Sequence, residues 1–127
     1  MTEWVLDASA ALVLLLDEPG AERVATALAS AVISSVNAAE VVHRLIRGGA
    51  QPQDARLLVL ALDCPIASVD AELGFRAGML SEATRTKGLS LGDRVCLALA
   101  EREQVPALTA DRAWQTLDLG IEVQLIR

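Results

Sequence analysis

Asp7, Glu40, Asp93 and Asp111 are spread over most of a 127-residue chain, yet each stands beside a short apolar run or at the opening of a helical pattern. Gathered at one place, such side chains have a definite use. Hard carboxylate oxygens hold octahedral Mg²⁺ or Mn²⁺. One or two such ions, about 4 Å apart when paired, activate water and stabilise charge on a phosphodiester oxygen during in-line displacement. Without a cation, four crowded carboxylates repel one another, and some of them stay protonated at neutral pH. Other chemistries lack their residues. The single histidine, His43, excludes schemes that need two imidazoles as acid and base, and it is expected to be partly exposed on a helix. There is no GxxxxGK[ST], GxGxxG or GxSxG segment for a P-loop, a dinucleotide site or a nucleophile elbow.

Taken singly, each acid also has a purely structural explanation. Asp7 and Asp111 follow apolar strands and precede helices, where an Asp N-cap belongs. Glu40 lies three residues after Asn37 and Asp93 three after Ser90, so both resemble the acidic member of a capping box. A helix N-terminus favours negative charge in any case.

The elements around the acids decide whether they can meet. Apolar runs of strand length occur at Trp4 to Leu6, Ala31 to Ser34, Pro65 to Val69, Ala107 to Thr109 and Glu122 to Ile126. Between them, helical patterns span about Ser9 to Leu16, Ala21 to Ala29, Asn37 to Arg47, Pro52 to Leu62, Asp70 to Thr86 and Ser90 to Glu103, punctuated by Glu18-Pro19-Gly20, Gly48-Gly49 and Gly88. In the last of these, Leu91, Val95 and Leu99 recur on one face that is expected to be buried. Strands alternating with helices imply crossover connections, a mostly parallel sheet and an α/β/α sandwich. In such a sheet the carboxyl ends of the strands share one edge, and the following helices start there. Asp7, Glu40 and Asp111 fall at or just beyond strand ends and Asp93 opens a helix, so all four can converge on one crevice.

Length sets a single domain, residues 1–127. With 53% apolar residues and only 2% aromatic, the core must be aliphatic. Cys64 and Cys96 lack a CxxC partner pattern and read as small buried hydrophobes. The apolar stretch Ala10 to Leu16 is far short of the roughly 20 residues of a membrane span. The absence of a signal-like opening places the expectation in the cytoplasm. A formal charge of −6 is a poor footprint for nucleic acid held by general attraction. Ten of the eleven basic residues are Arg, however, the better planar clamp for phosphate.

The segments Val5-Leu6-Asp7-Ala8-Ser9-Ala10, Ile33-Ser34-Ser35-Val36-Asn37-Ala38-Ala39-Glu40-Val41, Leu89-Ser90-Leu91-Gly92-Asp93 and Leu108-Thr109-Ala110-Asp111-Arg112-Ala113-Trp114 resemble, in order and spacing, the four acidic motifs of PIN-domain proteins. The chain's length is similar to that of the VapC-type toxins of toxin–antitoxin modules. The resemblance implies a PIN-like α/β/α sandwich, Mg²⁺ or Mn²⁺ dependence, endoribonuclease activity on cellular RNA, homodimerisation and a cognate VapB-type antitoxin. It makes Asp7 and Asp93 the principal metal ligands, with Glu40 and Asp111 completing the pocket directly or through water. Ser9 then supports the pocket or merely bonds locally at the helix start, and Asn37 is a cap or a supporting group. Arg94 and Arg112 are candidate phosphate contacts, each with a solvated surface role as the alternative. Trp4 and Trp114 are expected to pack in or near the core, with base stacking a secondary role.

The apolar first helices, Leu12 to Leu16 and Val24 to Leu28, are expected to form a groove for an antitoxin segment. Three rival readings stay open. A receiver-like phosphoacceptor needs a Lys at the close of a late strand, whereas the sole Lys, Lys87, falls at a helix end. A haloacid-dehalogenase-like phosphatase wants an Asp two residues after Asp7, where Ser9 stands. A catalytically silent RNA- or protein-binding module would keep the same fold.

Overall fold

Each short strand splits its side chains between two cores. Val5 pairs with Val32 on one side and Ala107 on the other, and these three belong to one buried cluster. Their neighbours Leu6, Ile33 and Leu108 are likewise in register and belong to the second. Both faces of the sheet are therefore apolar, as a parallel sheet covered by helices requires.

A computed structural model describes all residues, Met1–Arg127. The elements run β1 (Trp4–Leu6), α1 (Ala8–Leu15), α2 (Ala21–Leu28), β2 (Ala31–Ser34), α3 (Ser35–Arg47), α4 (Pro52–Ala61), β3 (Ile66–Ala67), α5 (Ala71–Met79), α6 (Ser81–Thr84), α7 (Leu91–Glu103), β4 (Ala107–Thr109) and β5 (Val123–Leu125). Single 3-10 turns occupy Arg85–Lys87 and Arg112–Thr116. The five strands form one sheet of order β3-β2-β1-β4-β5, parallel throughout. α1 to α4 supply the residues packed on the Leu6 face, among them Val13, Val24, Val41 and Val59. α5 and α7 supply those on the Val5 face, joined by Trp114. No helix is long and apolar enough to cross a membrane.

The strand order reverses at β1. From there the chain moves outward through β2 to β3, then returns across the sheet to β4 on the other side of β1. The crevice outside the carboxyl ends of β1 and β4 is thus the switch point where open α/β sheets bind ligands. α1 and α3 start at that edge because they follow β1 and β2 directly, and α7 starts there because it runs back toward the beginning of β4.

Several local expectations are corrected. The helix expected from Asp70 to Thr86 stops at Met79. Gly78 weakens its last turn, Leu80 turns into the core, and α6 and a 3-10 turn follow. The third strand shrinks to Ile66–Ala67 at the sheet edge, where Pro65 has no N–H to pair. Leu91 is 56% exposed, unlike Val95 and Leu99, because it opens α7 beyond the sheet edge. The leucines of the first two helices leave little apolar surface free: of them, Leu12 and Leu16 line a hollow of about 300 Å³ beside α3, and the α2 leucine does not reach it. Leu12, Val13, Val24 and Ala27 are buried, and Leu14, Leu15 and Leu28 pack against them, leaving Leu16 exposed. α1 is apolar nearly all round because the sheet, α2 and α3 enclose it. Exposed apolar side chains lie on α4, at Leu57, Leu58 and Leu60 with Ile66 nearby, and on α5, at Phe75 and Met79.

Candidate functional site

Asp7 ends β1 and caps α1, its Oδ1 accepting from the backbone N–H of Ala10 at 2.8 Å. The residue is only 3% exposed, and three donors hold its carboxylate in place. The Thr109 hydroxyl donates to Oδ2 at 2.6 Å, and the Ser9 hydroxyl lies 2.7 Å from Oδ1 and 2.9 Å from Oδ2. These hydroxyls also accept. Ser9 Oγ receives the N–H of Ala110, and Thr109 Oγ1 that of Asp111. The lattice therefore stitches the end of β1 to the end of β4. Burial pushes the Asp7 carboxyl up to about 6 against those hydrogen bonds, and the charge of Asp93 adds to the rise.

Asp93 sits in the first turn of α7, where Ser90 and Asp93 form a full capping box. The Ser90 N–H donates to Asp93 Oδ2 at 2.9 Å, and the Asp93 N–H donates to Ser90 Oγ. Burial raises this carboxyl too, and Asp111 raises it further. Glu40 lies half-buried on α3; burial and then Asp93 raise it, while Asn37 and Arg44 oppose the rise. Asp111 is exposed and caps the 3-10 turn, its Oδ1 accepting from Ala113 N–H. The thiol of Cys96, fully buried beneath them, is pushed well up by burial and further by Asp7, Asp93 and Glu40.

Asp93 is thus within electrostatic reach of the other three acids. Asp7 and Asp111 stand just beyond the ends of β1 and β4, Glu40 lies on α3 and Asp93 near the start of α7. No three of them converge closely enough to form a ready coordination shell. Asp93 and Asp111 are each turned onto a backbone N–H group, serving as the cap that the sequence position suggested. The donor set still fits a hard divalent cation. It is made wholly of carboxylate oxygens, and their burial and mutual repulsion are the conflict a doubly positive ion relieves.

Asn37 is not the cap of α3. Ser34 is, its hydroxyl accepting from Asn37 N–H. That moves Glu40 out of the capping box expected for it and frees it to face the crevice. The Asn37 amide is fully buried. It donates to Gly92 O at 3.1 Å and to Glu40 Oε1 at 3.4 Å, and its Oδ1 accepts from Ser34 Oγ at 2.8 Å. Asn37 thereby ties α3 to α7 and steadies Glu40. A Cβ on Gly92 would collide with Glu40 Oε1 and Cδ, so only glycine allows this approach.

Arg94 turns back toward the backbone, Nη1 donating to Leu89 O at 3.4 Å with Nε buried and unpartnered. Arg112 is exposed beside Asp111. His43 is exposed on α3, and Cys64 and Cys96 are buried free thiols, as expected. Trp114 is fully buried, while Trp4 lies under the Arg23 guanidinium at 4.5 Å. Lys87 lies in a 3-10 turn, not at a strand end. Sequence reasoning missed Thr109, Ser34 and Gly92. Thr109 could have been found, since it closes β4 two residues before Asp111; the partners of Ser34 and Gly92 are set by tertiary packing.

A family model described as PIN domain matches residues 4–119. Solved structures similar over nearly the whole chain include DNA-bound VapBC from Salmonella typhimurium, with 16% identity, full coverage of both chains and a TM-score of 0.75. VapBC2 from Rickettsia felis, bound to a promoter DNA fragment, has 17% identity over 97% of this chain and 98% of its own, with a TM-score of 0.75. Mycobacterium tuberculosis VapC20, a sarcin-ricin loop cleaving toxin, has 15% identity over 94% and 99%, with a TM-score of 0.74. At these identities the likeness is one of fold. No curated protein matches significantly.

Proposed function

Because this chain belongs to the PIN domain family, we propose that it is a Mg²⁺- or Mn²⁺-dependent endoribonuclease, the toxin of a VapBC-type module, acting on cellular RNA in the cytoplasm. The observation that carries the reading is Asp7: a carboxylate buried at the switch point, held by two hydroxyls and raised further by the charge of Asp93.

Asp7 and Asp93 would be the principal ligands of the ion, with Glu40 and Asp111 completing the shell directly or through water. When bound, the cation supplies an acidified water and positive charge opposite a phosphodiester. The chain supplies placement. Ser9 and Thr109 fix both oxygens of Asp7 and leave it little rotational freedom. Asn37 and Gly92 aim Glu40. Asp93, whose Oδ2 accepts from Ser90 N–H, would offer an oxygen to the ion, at the cost of at most that one exposed hydrogen bond. Arg112 is an accessible phosphate contact; Arg94 would have to swing away from Leu89 O to become one.

The reading includes a VapB-type antitoxin and a homodimer. The similarity of fold to VapBC from Salmonella typhimurium and Rickettsia felis and to VapBC-1 from Haemophilus influenzae supports the first. The exposed apolar side chains of α4 supply the surface that burial against a partner requires.

The test is cleavage of labelled RNAs with Mg²⁺ or Mn²⁺, with chelator and with Asp93→Asn, followed by mapping of new 5′ ends in cells after induced expression. Metal-dependent cuts lost in Asp93→Asn support the reading. Intact RNA under every metal condition removes it. Transfer of phosphate from acetyl phosphate to the protein would replace it with a phosphoacceptor role.

A further inference from the structure

Arg44 lies one helical turn after Glu40 on α3 and is exposed. The ion pairs of the molecule are Arg76–Glu101, Arg85–Glu82 and Arg102–Glu103, so Arg44 and Arg127 have no carboxylate partner. Both residues line a cleft of about 310 Å³ whose lining also includes Ser9 and Asp111. Arg127 is fixed there by Nη1 donating to Pro19 O at 2.8 Å. Leu12 and Arg44 also line an adjoining hollow of about 300 Å³, so the depression continues away from the acids along α1 and α3. The Glu40 carboxyl feels the Arg44 charge, which independently places that guanidinium near the crevice.

We propose that this cleft is the substrate strand's path. Arg44 and Arg127 grip consecutive phosphates of a single-stranded RNA on the side of the acid pocket bounded by α1 and α3. The inference rests on the nuclease reading and deepens it. The cleft sets Arg44 and Arg127 against Glu18 and Asp111; with Asp111 engaged by a cation, the two guanidinium groups would face one acidic side chain, Glu18. In a chain of net charge −6, such a local reversal is what lets a polyanion approach an acidic centre. Guanidinium is planar and matches phosphate with paired N–H donors. No aromatic ring lines the cleft, so it grips backbone and offers no stacking platform for bases.

The test measures binding of a short unstructured RNA to the Asp7→Asn protein in Mg²⁺ by fluorescence anisotropy over a range of salt. Adding Arg44→Ala should weaken affinity about tenfold and reduce the logarithmic salt slope by about 0.7. Arg127→Ala should act in the same direction, and Arg44→Lys should keep the slope while losing part of the affinity. Arg47→Ala removes an exposed charge from the same helix outside the cleft and should change neither. Affinity unchanged by Arg44→Ala, or equally weakened by Arg47→Ala, overturns the proposal. Cleavage by the unsubstituted chain separates the two readings. If it cuts no RNA while Arg44 still governs affinity, the nuclease reading falls and the cleft stands. If it cuts and Arg44→Ala alters neither affinity nor KM, the cleft falls alone.

Discussion

Thr109 Oγ1 donates a 2.6 Å hydrogen bond to Asp7 Oδ2 across 102 positions of sequence, and the same oxygen accepts the N–H of Asp111. One buried hydroxyl thus aligns two of the four acids, because β1 and β4 are adjacent parallel strands ending at the same edge.

Thr109→Val keeps the shape and removes this link. It leaves Asp7 Oδ2 short of a donor and the Asp111 N–H without an acceptor, so stability should fall by about 1–3 kcal/mol. The Asp7 carboxyl should rise further, moving the acid limb of any pH–rate profile to higher pH. Thr109→Ser should restore both. Denaturant melts and a pH–rate profile check this; a profile identical in all three proteins would contradict it.

Asp7→Asn and Asp93→Asn should each abolish RNA cleavage with the fold intact. Asn can still accept from Ala10 N–H at position 7 and from Ser90 N–H at position 93. Circular dichroism and a cleavage assay decide; full activity in either variant removes that residue from the site.

Stability and metal should be linked through Asp7. Its folded pKa, about 6, lies above the ordinary carboxylate value of 3.8. The native state therefore holds the proton more tightly than the unfolded one. This contribution is fully present below about pH 4 and is lost as pH rises through about 6, about 3 kcal/mol in all. In chelator at pH 7 the buried charge is uncompensated, so Asp7→Asn should melt higher than the unsubstituted protein. Mg²⁺ or Mn²⁺ should raise the melting temperature of the unsubstituted chain and have little effect on Asp7→Asn. Equal metal shifts in both would place the ion elsewhere.

Activity should rise as pH increases through about 6, since Asp7 must lose its proton to take a cation. Glu40 and Asp93 are also raised and add to the steepness of that limb. A rate independent of pH between 5 and 8, at a fixed sub-saturating metal concentration, would argue against this order of events.

Gly92→Ala should act through Glu40. The added methyl occupies the position of the Glu40 carboxylate and pushes it from the crevice. Alanine is favourable in a helix, so stability should change little while activity falls about 10- to 100-fold, the range for losing support behind a metal ligand. Unchanged kcat/KM would show that Glu40 does not need this placement.

Residue pattern alone was enough for the alternation of strands and helices and for the parallel sheet, and it put four acids forward as candidates at the sheet's carboxyl edge. These are local properties: short apolar runs, caps and turns repeat within a few residues and each carries its own energetic preference. It also showed why Asp7, Asp93 and Asp111 would cap, and they do. Tertiary structure alone decided the rest. Leu12 to Leu15 read as spare apolar surface until the sheet, α2 and α3 enclosed them, while Leu16 stayed exposed, because burial depends on what packs against all sides of a helix. Asn37 read as a cap until Ser34 took that place and Gly92 came within reach from α7. The environment of Asp7 is nonlocal in the same way. A carboxylate's protonation follows the burial and charges around it in space, and those came from β4, α3 and α7, far along the chain.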